Sequence, residues 1–101
     1  MTEWELEKDI LHYLALRGIF AWPTHGARNH PIVPGMPDIL GVMQHGRMIA
    51  IEVKTADGIV SAVQEDFHRA LFRNGVRVLV VTSLDEVMAS DLLLSHADVV
   101  Q

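Results

Sequence analysis

The chain has 101 residues, half of them hydrophobic, a formal net charge of −5 and no cysteine. These figures predict one folded domain over residues 1–101, exclude disulfides and thiolate metal sites, and argue against a broad basic surface for gripping nucleic acid non-specifically. The start, Met1-Thr2-Glu3-Trp4-Glu5, lacks the basic region of a signal peptide, and no apolar run approaches the roughly 18 residues of a membrane span. The expectation is a cytoplasmic protein with no membrane partner.

Thr2-x-x-Glu5 is a capping box, and the helix it opens is expected to run to Arg17 and stop at Gly18. Its apolar stripe is Leu6, Ile10, Tyr13 and Leu14. A short strand, Ile19 to Trp22, ends at Pro23, and a Gly/Pro/Asn-rich loop with two histidines and Arg28 covers Thr24 to Gly35. Asp38–Met43 and Arg47–Thr55 read as a hairpin joined by Gln44-His45-Gly46, a three-residue turn with glycine where a left-handed residue is wanted. Ser61-x-x-Gln64 is a second capping box, opening a helix that ends near Asn74-Gly75. Val76 to Thr82 is almost continuously apolar, which predicts a buried central strand. Ser83-x-x-Glu86 opens a last helix expected to reach about Leu94. The order α-β-β-β-α-β-α predicts an α/β fold, with a mixed sheet flanked by helices.

The hairpin carries the chemistry. If Met43 and Arg47 close it, Ala50 faces Leu40 and Glu52 falls opposite Asp38, on the same strand face as Lys54. Two carboxylates roughly 5 Å apart at Cβ repel each other, and a divalent cation between them removes the penalty. Taken singly, Asp38 could be a loop-end aspartate and Glu52 half of an ordinary ion pair. Two charges at one end of an apolar strand need partners or a metal. This is the outline of a metal-dependent phosphodiesterase site.

Gly35-Met36-Pro37-Asp38-Ile39-Leu40, Ile51-Glu52-Val53-Lys54-Thr55, Gln64 at the start of the next helix and an acidic first helix together resemble the PD-(D/E)xK nuclease superfamily, and within it the VRR-NUC family of small stand-alone phage and bacterial type. The likeness covers essentially the whole chain and implies the restriction-endonuclease-like core. It departs where many relatives carry an arginine just after the first strand; here Trp22-Pro23 stands. The resemblance implies that Asp38, Glu52 and the Val53 backbone carbonyl bind Mg²⁺ or Mn²⁺, ions suited to hard oxygen ligands. It also implies that Lys54 orients the attacking water or stabilises the phosphate. Gln64 fits a helix cap and, in the family pattern, also reaches the active site.

The same pattern asks for an acid from the first helix. Glu5 is used by the cap. Glu3 lies within roughly 35° of the centre of the apolar stripe and is the choice; Glu7, nearer the margin, is the runner-up. Arg28 and His25 are the candidate substrate contacts. His25, His30 and His45 fit no zinc motif and read as solvated loop residues or phosphate contacts; His12, His68 and His96 read as surface. Arg69 and Arg73 share a helix face that reads as solvated, and Trp4 and Trp22 as core or interface. The implied function is a metal-dependent endonuclease acting on DNA, selective for branched or junction structures by family analogy, in a bacterial or phage-infected cell. Its rival is a non-catalytic nucleic-acid-binding or assembly subunit, with a small-molecule phosphodiesterase as a third reading. A homodimer is expected, since one copy at −5 holds duplex DNA poorly. The apolar last helix (Leu84, Val87, Met88, Leu92, Leu93, Leu94) or Trp22 is the candidate interface.

Overall fold

The structure, a computed structural model, describes residues 1–25 and 33–90. Helix α1 spans Glu3–Leu16; strands β1, β2 and β3 span Phe20–Pro23, Ile39–Met43 and Arg47–Val53. Helix α2 is Ala62–Arg73, strand β4 is Arg77–Val81, and a last helix, α3, covers residues 84–90. The expected order of elements is present. The part of the last helix beyond residue 90, with Leu92, Leu93 and Leu94, lies outside the described residues.

Both capping boxes form. The Thr2 hydroxyl accepts from the Glu5 N–H while Glu5 accepts from the Thr2 N–H, and Ser61 and Gln64 reciprocate in the same way. Each of these helices ends in a Schellman turn: Ile19 N–H bonds the Leu14 carbonyl across Gly18, and Val76 N–H bonds the Leu71 carbonyl across Gly75. Both glycines have positive φ, +76° and +88°.

The sheet order is β1-β2-β3-β4, antiparallel between the first three strands and parallel between β3 and β4. The register is the one the turn predicts: Met43 pairs with Arg47 and Leu40 with Ala50. The turn needs two left-handed residues, His45 (φ 68°) as well as Gly46 (φ 74°). Ile39, Ile49, Ile51, Val53 and Val81 pack with Leu6, Ile10 and Leu14 of α1 and Val87 of α3 into one buried cluster. Alternation sends Ala50 and Glu52 to the opposite face, where α2 lies.

One expectation needs correction. The apolar strand β4 is not central: among the described strands it is at the edge, with Val80 44% exposed. Leu79 and Val81 pack with the buried cluster, while Val80, on the other face, stays open. Within the described part of the last helix, Val87 is fully buried and Leu84 packs against the same core, while Met88 is 46% exposed.

Candidate active site

Gly35 sets the path of the loop into β2. It has φ +85°, and a Cβ there would stand 2.5 Å from the Val63 carbonyl oxygen, so glycine lets the loop press against the first turn of α2. On its other side the loop is stitched to the end of β1. Thr24 N–H donates to the Asp38 carbonyl at 2.9 Å and Thr24 Oγ1 to the Pro37 carbonyl at 2.5 Å. Asp38 then lies one step beyond the last β2–β3 pair, Ile39 with Ile51, and its Oδ2 accepts from Val53 N–H at 2.8 Å. A side chain here replaces a ladder bond, which fixes the carboxylate against the strand that carries Glu52.

Glu52 is 2% exposed. Burial first, and then the hydrogen bond and charge of Asp38, push its pKa up to about 9; Lys54 pulls the other way. The opposed carboxylates inferred from the hairpin register are therefore in electrostatic contact. Gln64 serves two partners with its two ends: Oε1 accepts from Ser61 N–H in the cap, and Nε2 donates to Glu52 Oε2 at 3.3 Å. The helix cap and the contact with Glu52 are thus compatible. The other Glu52 oxygen lies 3.1 Å from His68 Nε2. His68, expected on the surface, is instead a half-buried partner of Glu52, and burial holds its pKa below the usual histidine value. Its position one helical turn after Gln64 is the signal that would have found it.

The first-helix acids separate clearly. Glu3 is half-buried and accepts from Thr55 N–H at 3.2 Å, beside a cavity of about 110 Å³ that Leu6, Lys54 and Thr55 also line. Glu7 is 2% exposed, and burial raises its pKa, with Asp38 adding to the rise. Its Oε2 is 3.1 Å from His25 Nε2; its Oε1 is 3.0 Å from the same nitrogen but makes no hydrogen bond among the described residues. His25 Nε2 is also 3.5 Å from Asp38 Oδ1. Far from being solvated, the His25 side chain is only 3% exposed. Glu7, His25 and Asp38 each offer one ligand atom within 4.8 Å of the others, a set that could hold a metal ion. Glu3 and Glu7 differ in their position along the helix axis. Four residues displace Glu3 by about 6 Å towards the N-terminus, over the end of β3 instead of beside Asp38.

Among the described residues Lys54 makes no salt bridge, and its stem packs against Gly58. Arg28 lies outside the described residues. Arg69 pairs with Asp66 on an exposed face of α2, as a solvated helix surface should. Trp4, expected in a core or interface, is 46% exposed with the Lys8 ammonium 5.6 Å from its ring centre.

Two comparisons with known proteins bear on this arrangement. Residues 1–85 match the VRR-NUC domain family. A solved structure described as a VRR-NUC domain superposes with a TM-score of 0.69 at 23% identity, covering 93% of this chain and 95% of the other, a likeness of fold. No curated protein matches.

Proposed function

Since the chain belongs to the VRR-NUC family and so has a nuclease-type function, we propose that it is a Mg²⁺- or Mn²⁺-dependent endonuclease that hydrolyses phosphodiester bonds in DNA, acting as one domain over residues 1–101. The observation that carries the reading is the gathering of three acids at one place: Glu52 and Glu7, each 2% exposed, and Asp38, tied to β3 by the Val53 N–H and grouped with Glu7 and His25. Such a cluster is costly for a protein to keep unless something cationic joins it. Asp38, Glu52 and the Val53 carbonyl would hold the cation, with Glu7 in the place expected of Glu3. When bound, the cation supplies Lewis acidity and charge neutralisation at the phosphate.

The chain's own groups do the rest. Gln64 and His68 hold the two Glu52 oxygens from α2, and the Val53 N–H holds Asp38, so both carboxylates are oriented before substrate arrives. Lys54, directly after the Glu52 strand, makes no salt bridge among the described residues, which leaves its ammonium to meet the negative charge that grows on the phosphate. Arg28, in the segment after Trp22-Pro23, is proposed to face the DNA, whereas His25 is enclosed beside Glu7 with its side chain 3% exposed. Selectivity for branched DNA, action as a homodimer and a cytoplasmic setting belong to the same reading. No helix among the described residues is long and apolar enough to cross a membrane.

The test is a nicking assay on linear, supercoiled and branched DNA with Mg²⁺, Mn²⁺ or EDTA. Cleavage is expected only with metal, and Asp38→Ala is expected to abolish it. Wild-type rates from Asp38→Ala would overturn the site, and metal-dependent binding without cleavage of any substrate would favour the non-catalytic subunit. Light scattering at micromolar concentration tests the dimer; a mass near the 11.3 kDa of one chain with full nicking at nanomolar enzyme would refute it.

A further inference from the structure

Resting on the cation-dependent reading above, we infer that His25 is a direct ligand of the bound ion and that its nitrogen makes the site prefer Mn²⁺ and later first-row ions over Mg²⁺. The placement is built. Thr24, held by the Pro37 and Asp38 carbonyls, carries His25 to the mouth of the carboxylate pair. There Nε2 stands 3.0 and 3.1 Å from the two Glu7 oxygens and 3.5 Å from Asp38 Oδ1, and the three ligand atoms lie within 4.8 Å of one another. His25 and Glu7 are almost fully enclosed, with side-chain exposures of 3% and 2%. Glu7 Oε1, buried in the same cluster, makes no hydrogen bond among the described residues and faces the same His25 nitrogen at 3.0 Å, so both Glu7 oxygens converge on one point.

The donor chemistry decides the ion. Mg²⁺ asks for near-ideal octahedral oxygen and keeps its waters. With His25 added to the Asp38, Glu52 and Glu7 carboxylates, the site gives up one oxygen position to nitrogen, which first-row transition ions accept and Mg²⁺ resists. Mn²⁺ is the mildest of these ions, so a preference seen with Mn²⁺ should widen with Co²⁺.

Calorimetric titration of the full chain with Mn²⁺, Co²⁺ and Mg²⁺ tests this, alongside His25→Gln, which replaces the nitrogen donor with an amide. The wild type is expected to bind Mn²⁺ at least tenfold more tightly than Mg²⁺, and His25→Gln to reduce that ratio by about tenfold. Pulsed electron paramagnetic resonance of the Mn²⁺-loaded wild type is expected to show coupling to one imidazole nitrogen, moved by ¹⁵N-histidine labelling and retained in His68→Gln. The wild-type spectrum decides the matter even if His25→Gln fails to fold. Mn²⁺ binding with no nitrogen coupling, or an unchanged Mn²⁺/Mg²⁺ ratio in His25→Gln, overturns the inference while leaving the nuclease reading intact. Absence of any divalent binding overturns both.

Discussion

Removing the charge of Glu52 should flatten the pH dependence of the metal-free protein's stability. Burial and Asp38 raise the Glu52 pKa from 4.5 to about 9. Between those values the folded state holds a proton that the unfolded state has lost, so stability falls as pH rises. His68 acts in the opposite sense: burial lowers its pKa, so its contribution grows with pH, but only below the ordinary histidine value of 6.5. The window from about pH 7 to about 8.5 therefore isolates the carboxyl. Over those roughly 1.5 units, at 1.36 kcal/mol each, Glu52 withdraws about 2 kcal/mol. For a domain of this size that corresponds to a fall in Tm on the order of 10 °C. Glu7, also raised by burial, acts in the same sense and is common to both proteins, so the comparison between them sets it aside. The assay is thermal melting followed by circular dichroism in EDTA, wild type beside Glu52→Gln, at steps across that window. The gap in Tm should widen with pH, and saturating Mn²⁺ should suppress the wild-type fall. Tm curves that run parallel for the two proteins would refute the buried-carboxyl argument.

Other outcomes follow from the same geometry. Lys54→Ala should lower the cleavage rate by at least a hundredfold while DNA affinity changes much less, because the ammonium acts on charge that develops in the transition state; equal losses in binding and rate would make it a phosphate anchor. Glu7→Gln should abolish metal-dependent cleavage, whereas Glu3→Gln should leave most of it; the reverse ranking in a nicking assay would return the helix acid to Glu3. Gln64→Glu preserves the capping box but replaces the donor to Glu52 with a carboxylate 3.3 Å away. It should cost about 1–3 kcal/mol in the metal-free protein above neutral pH, read by urea denaturation, and a variant as stable as wild type would remove Gln64 from the Glu52 network.

Much of the molecule follows from local rules. Two capping boxes, two glycine stops and a three-residue turn mark the helices and the hairpin, and the turn alone sets the register that brings Glu52 opposite Asp38. These are short-range effects, so the order of residues contains them. The structure was needed wherever the answer depended on distance along an axis or across elements. Helical periodicity places Glu3 and Glu7 at neighbouring angles but cannot tell which lies level with Asp38; the docking of α1 on the sheet decides that. An apolar run cannot distinguish a central strand from an edge strand that packs one face on the core, which is what β4 is. His25 and His68 looked solvated because nothing near them in the chain marks them as enclosed. Each is made part of the site by a long-range contact, His25 through the Thr24 bonds to the Pro37-Asp38 turn and His68 through α2 lying over Glu52. Burial of a polar side chain is a property of what the fold lays over it, and that is settled only when the helices close on the sheet.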